Sequence, residues 1–116
     1  MRHEECAVRL RVALQQGDDL ALASVLNPEI RLCIDAGDAT GGEVQGRVRV
    51  IRLLRERLAN RPDAAIEAAQ VNGSSGLALR AGDGRVLGVL SFDLCGGTID
   101  RLWLTTSAGK LLHWNR

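Results

Sequence analysis

The sequence has no tyrosine, one phenylalanine and two tryptophans, so aromatic residues make up 3% of it. A flat, ring-rich ligand would find few side chains to lie against. A single-stranded nucleic acid, which stacks its bases on aromatic rings along a basic track, would find no better footing. Charge does not favour such a partner either. Fifteen lysines and arginines against 14 aspartates and glutamates leave a formal net charge of +1, too little for a global field toward nucleic acid or a membrane. No apolar run approaches the roughly 18 residues of a membrane-spanning helix, and the charged start Met1-Arg2-His3-Glu4-Glu5 leads into no apolar signal stretch. A cytoplasmic location, without membrane contact or direct nucleic-acid binding, is the expectation. Cys6, Cys33 and Cys95 are odd in number and far apart, which suits neither a disulfide framework nor a paired-cysteine zinc site. Reduced thiols packed as small hydrophobes are expected, with no metal and no other cofactor.

What the chain does have is glycine, 13 among 116 residues, and a 46% share of hydrophobic residues. That is enough apolar surface for one ordinary globular domain over residues 1–116. Three glycine-marked breaks, at residues 72–76, 82–84 and 96–97, divide the stretch 64–107 into four short apolar segments. Glycine adopts φ > 0 without a Cβ clash, so breaks this short read as hairpin turns between consecutive antiparallel strands.

The first half carries helix signals. Over residues 3–16, Cys6, Leu10, Ala13 and Leu14 fall on one helical stripe, and Gly17 stops the run. Asp18 can cap a shorter helix over residues 19–26, which Asn27-Pro28 ends because proline disfavours α geometry before it. Residues 29–35 alternate as a strand, with Ile30, Leu32 and Ile34 on one side, and residues 36–42 form a small-residue loop. A third helix over residues 45–60 buries Val50, Ile51, Leu54 and Leu58. Arg47, Arg49, Arg52, Arg55 and Arg57 cover much of the rest, with Arg61 just beyond. That reads as a solvated arginine face whose long stems cover apolar surface; the functional reading is a dock for an acidic partner or a phosphate backbone.

The last hairpin fixes a register. With Gly96-Gly97 at the centre of its turn, Asp93 stands opposite Asp100, Phe92 opposite Arg101 and Leu90 opposite Trp103. One face then carries Leu90, Phe92, Leu94, Ile99 and Trp103 around Arg101. The other carries Asp93 and Asp100, with Val89, Leu102 and Leu104 further along. Two facing carboxylates push their proton affinities apart, which is how acid/base pairs arise, although water near a turn screens them. A bulge at Gly97 would shift this register by one.

The order of elements, with Arg9-Leu10 and Ala13, Gly17-Asp18, Asn27-Pro28-Glu29-Ile30 and Asp35-Ala36-Gly37, resembles the SnoaL-like domain of the nuclear-transport-factor-2-like superfamily. It is most similar to the SnoaL-like domain fused to the C-terminus of certain extracytoplasmic-function sigma factors. The stretches that carry this likeness are Asp35-Ala36-Gly37-Asp38-Ala39, Val71-Asn72-Gly73-Ser74-Ser75-Gly76 and Ser107-Ala108-Gly109-Lys110-Leu111. They lack, respectively, the lysine, the proline, and the asparagine, proline and aspartate typical of that group.

The resemblance implies an α+β cone, a curved antiparallel sheet in the order α-α-β-α-β-β-β-β packed on three helices, with a pocket between the concave sheet and the helices. It implies a ligand-binding or regulatory module, or else a small cyclase, dehydratase or epoxide hydrolase. Isomerases of the superfamily use a tyrosine oxyanion donor, which this chain lacks. For the enzyme alternative, the catalytic candidates are Asp93, Asp100 and His113. For the binding module, Asp35, Arg101 and Trp103 are the ligand contacts, and the ligand is a small apolar or anionic molecule. A transcription-machinery partner and a homodimer through Val89, Leu102 and Leu104 complete the expected partners.

Overall fold

A computed structural model describes residues 3–39 and 41–115. The apolar stripe of α1 (His3–Gln16) buries Cys6, Ala7, Leu10, Ala13 and Leu14. Gly17, at φ 62°, ends it as expected. Its N–H donates to the Leu14 carbonyl at 3.3 Å, and that of Asp18 to the Ala13 carbonyl at 3.0 Å, the paired closure of a glycine-terminated helix. Asp18 then caps α2 (Asp19–Val25), its carboxylate accepting the Ala21 N–H at 3.1 Å.

The first strand, β1 (Leu26–Asp35), begins three residues earlier than the sequence suggests and contains Pro28. Proline is tolerated because the pairing of β1 with β6 (Thr98–Thr105) is irregular between Leu26 and Arg31. The Asn27 side chain accepts the Glu29 N–H there at 2.9 Å. The loop after β1 is shorter than expected, since Gly42–Gln45 pairs antiparallel with β1 as a short strand, β2. Helix α3 (Arg47–Ala59) follows, with Val50 and Leu54 buried.

The four-stranded meander forms as read: β3 (Ala65–Val71), β4 (Ser74–Arg80), β5 (Val86–Cys95) and β6. Its first and last turns have both central residues in the left-handed region, Asn72 and Gly73 at φ 52° and 82°, Gly96 and Gly97 at 61° and 85°. Those angles match the right-handed twist of the strands they join. The sheet order is β2-β1-β6-β5-β4-β3. It is a mixed sheet, because β1 runs parallel to β6 while the other neighbours are antiparallel. The three helices pack on its concave face, where Leu10, Leu22, Ile30, Leu32, Leu77, Ile99 and Leu102 are almost wholly buried.

One bulge corrects the expected register. Cys95 pairs with Thr98 and Leu94 with Ile99, but then Asp93 pairs with Arg101, Phe92 with Leu102, Ser91 with Trp103 and Leu90 with Leu104. Asp100 is the extra residue, so the bulge lies three residues beyond Gly97. An unbroken ladder would drive the Arg101 guanidinium into the apolar core, at a cost of several kcal/mol. A bulge sacrifices one ladder position instead. Every side chain beyond it changes face: Leu102 and Leu104 enter the core, while Arg101 and Trp103 turn outward beside Asp93 and Ser91.

Two expectations fall with the register. Asp93 and Asp100 do not face each other, and the surface assigned to a homodimer does not exist as such. Leu102 and Leu104 are core, and Val89 is buried beneath Leu111 and Trp114. The latter two belong to a C-terminal strap ending in a 3-10 turn (Leu112–Trp114) that folds over the outer sheet face. Asn115 fastens it, accepting the Val86 N–H at 2.6 Å and donating to the Val86 carbonyl at 3.0 Å. Of the three cysteines, none in a disulfide among the described residues, Cys6 is buried as expected, Cys33 half-buried and Cys95 exposed at the hairpin tip.

Candidate functional site

The cone interior is lined by Leu14 of α1, Leu54 and Leu58 of α3, and Ile66, Leu77, Leu90 and Leu104 of the sheet, with Arg57 at its rim. What remains between them is a cavity of about 40 Å³. Small-molecule sites measure about 300–1,000 Å³, so aliphatic side chains occupy the volume a ligand would need. None of the sequence-derived site residues lies in it.

The outer sheet face is different in kind. Cys33 and Asp35 from β1, Ser91 and Asp93 from β5, Trp103 and Thr105 from β6, Asn72 and Ser74 from the first hairpin and Lys110 from the strap surround an open basin of about 510 Å³. The strand pairing brings them together: Cys33 is in register with Trp103 and Asp35 with Thr105 across the parallel pair. Ser91 is in register with Trp103 across the antiparallel one. Arg101 is exposed next to this basin, in register with Arg31 on one side and Asp93 on the other.

Asp35 anchors the basin. Its carboxylate accepts a hydrogen bond from the Lys110 ammonium and, at 3.2 Å, from the Gly37 N–H. The Lys110 bond, with help from Gly37, holds the carboxyl below its ordinary value of 3.8 against an opposing desolvation effect. Its main-chain carbonyl accepts the N–H of Thr106 at 2.8 Å and of Ser107 at 3.2 Å. Gly37, at φ +79°, lies in the left-handed region that favours glycine, and a Cβ there would stand 2.8 Å from the Ser107 hydroxyl oxygen and force it to shift. The three stretches that carry the family resemblance therefore converge. Asp35 from the first, Val71, Asn72 and Ser74 from the second and Lys110 from the third line one basin.

The catalytic candidates do not assemble into a working group. Asp93 is exposed on the outer face. Asp100 sits in the bulge with Oδ1 buried and unpartnered among the described residues. His113 is exposed in the strap, its ring 5.6 Å from that of Trp114, beside a hollow shared with Asn72 and Lys110. The histidine with interior contacts is His3, which sequence reasoning passed over. It stacks on Phe92 with ring centroids 4.2 Å apart, and its Nε2 lies 2.9 Å from the Ser75 carbonyl oxygen. Lys110 was also missed as a site residue; its signal was its place in the third resemblance stretch. Among the described residues no group of histidine, cysteine, aspartate and glutamate is arranged to hold a metal ion. No helix among them is long and apolar enough to cross a membrane.

No protein-family model and no curated protein sequence matches the chain. Solved structures do. The extracytoplasmic function sigma factor SigJ of Mycobacterium tuberculosis superposes with a TM-score of 0.75 at 22% identity over 95% of this chain. This chain spans only 44% of that protein's length. A ketosteroid-isomerase-like protein of Kribbella flavida gives 0.67 at 18% identity, covering 89% of this chain and 76% of that one. A nuclear-transport-factor-2-like protein of unknown function from Mesorhizobium loti gives 0.64 at 17%, covering 93% and 96%. At these identities the likeness is one of fold: helices on a curved, open sheet in the nuclear-transport-factor-2-like, SnoaL-like arrangement.

Proposed function

We propose that this SnoaL-like fold acts as a non-catalytic interaction module whose working surface is the outer sheet face. The filled cone carries the reading. General acid/base chemistry needs a titrating group within hydrogen-bond reach of a substrate in a water-excluding pocket, and here the cone keeps about 40 Å³ lined by aliphatic side chains. The polar side chains stand on the other face, around a basin too open to exclude water. Such a surface suits contact with another macromolecule, with the half-buried Trp103 as the amphipathic anchor and Arg101, Asp93, Asp35 and Lys110 as its charged surround.

The likeness to part of a sigma factor supports a partner in the transcription machinery. The test is sedimentation of the purified chain with an extracytoplasmic-function sigma factor. Binding that is lost in the double variant Arg101→Glu, Trp103→Ala and kept in Arg52→Ala supports the reading. Turnover of a steroid, polyketide or epoxide substrate contradicts it.

A second reading rests on one observation. The outer face carries both signs of charge, Arg31 and Arg101 in one row with Asp93 and Glu43 in register with neighbouring positions. Such a face can complement itself about a two-fold axis. On this reading the chain forms a homodimer through Trp103 and Arg101, and sedimentation of the chain alone shows a dimer that the same double variant dissociates.

A further inference from the structure

Strand β3 is an edge of the sheet, and its ladder to β4 is regular from Ala65 opposite Arg80 to Val71 opposite Ser74. In an antiparallel pair alternate residues turn their N–H and C=O toward the neighbour or away from it. Two observations identify the outward set. The two-residue turn Asn72-Gly73 closes on Val71 and Ser74, which makes that pair hydrogen-bonded and Gln70, Ala68 and Ile66 outward. Independently, the Ile66 carbonyl is taken from outside the sheet by Gln15 Nε2 of α1 at 3.0 Å. Beyond Ile66, no described group takes the outward N–H and C=O of Ala68 or Gln70, and both residues are exposed.

Open edges are templates for pairing, and chains usually blunt them with lysine, proline or a bulge. The sequence of β3 contains none of these. Its one charge, Glu67, is engaged by Arg80 at 3.0 Å. Beside the open segment, Val8 and Arg11 of α1 form the far wall of a hollow of about 280 Å³ against Ala68, Gln70 and Gly76. Val8 is 47% exposed there. Arg11 has its Nε buried without a partner among the described residues, a donor held out of water with nothing to donate to.

We propose that this edge and hollow receive an extended segment of another protein, added as a strand beside residues 68–70 with an acidic side chain on Arg11. The main chain of the segment satisfies the groups of Ala68 and Gln70, and its carboxylate pairs with the Arg11 guanidinium where it lines the hollow. Small or β-branched side chains fit the hollow, whose walls include Ala7, Ala68 and Gly76. Glu4 lines the same hollow about 10 Å along the helix from Arg11, so the acid belongs at the Arg11 end. A second copy of the chain is a poor occupant. The only acid it could offer from its own β3 is Glu67, already paired. The proposal is independent of the outer-face reading, since the two surfaces share no residue used in either argument.

The experiment is an NMR titration of the ¹⁵N-labelled chain with a blocked pentapeptide of valine and threonine around one central glutamate. The expected result is saturable shifts at Ala68, Gln70 and the adjoining turns of α1, with slowed amide exchange at Ala68 and Gln70. Glutamine in place of the probe's glutamate should weaken binding about tenfold, and N-methylation of its backbone should abolish it. Arg11→Gln should bring the acidic probe down to the affinity of the glutamine probe while leaving the spectrum of the free chain folded. Shifts that map to the outer basin or to α3 would overturn the proposal, as would equal binding of the N-methylated probe or no saturable shift at all. Protection of Ala68 and Gln70 that rises with protein concentration alone would overturn it in favour of a second copy.

Discussion

The two faces of the sheet are built from the same strands and do opposite work. On the concave face Leu32, Leu77, Leu102 and Leu104 close with the helices into a core that fills the cone. On the outer face the residues between them, Cys33, Asp35, Arg101 and Trp103, remain half or fully accessible around a polar basin. On β6, what separates the sets is a single inserted residue, Asp100. Before it, β6 runs in the register its turn dictates; after it, leucines face in and Arg101 and Trp103 face out. The interior is thus packed and the polar chemistry lies outside, and a one-residue change in pairing decides which residues of β6 go where.

Deleting Asp100 should have the largest effect, because it forces either a new register or the burial of Arg101. We expect a loss of more than about 4 kcal/mol in urea unfolding, enough to leave a small domain largely unfolded. Leu104→Ala comes next. It removes a buried side chain that also lines the cone, and should cost about 2–5 kcal/mol while opening an apolar cavity that takes up benzene, seen as a ligand-dependent rise in melting temperature. Trp103→Ala on the opposite face should cost only about 1 kcal/mol, its main effect falling on association measured by sedimentation. A cost as large as that of Leu104→Ala would mean that the two faces are not distinct.

The smallest effect concerns pH. Asp35 has a depressed folded-state pKa, so its pairing contributes stability that is complete above the unfolded value and is lost as pH falls through the folded one. In Lys110→Ala the carboxyl should titrate nearer its ordinary 3.8, which NMR titration of the Asp35 side chain would show. Acid unfolding should then be less steep below that pH.

Most of the fold was legible because its punctuation is local. Gly17-Asp18, Asn72-Gly73 and Gly96-Gly97 each act within a few residues, and the elements between them form where the sequence puts them. What escaped depends on partners distant in the chain. Pro28 lies inside β1 because β6 pairs irregularly there, and Gly42–Gln45 is a strand only because β1 lies beside it. The bulge at Asp100 was legible in principle: an arginine flanked by Asp100 and Leu102 in a strand with one buried face is a conflict that a shift relieves. The expected register was unbroken instead, with a bulge considered only at Gly97. With the register went the face of Arg101 and Trp103, and with that the location of the candidate site. Asp35 was expected as a ligand contact, but its hydrogen-bond partner Lys110 lies far along the chain and only the folded strap brings the two together.

The filled cone is the central claim, and methyl NMR tests it directly. Leu14, Leu54, Leu77, Leu90 and Leu104 line the cavity, so titration with a steroid and with a small aromatic polyketide mimic should leave their methyl resonances unmoved. Saturable shifts at those methyls would show that the cone opens to ligands and would contradict the account.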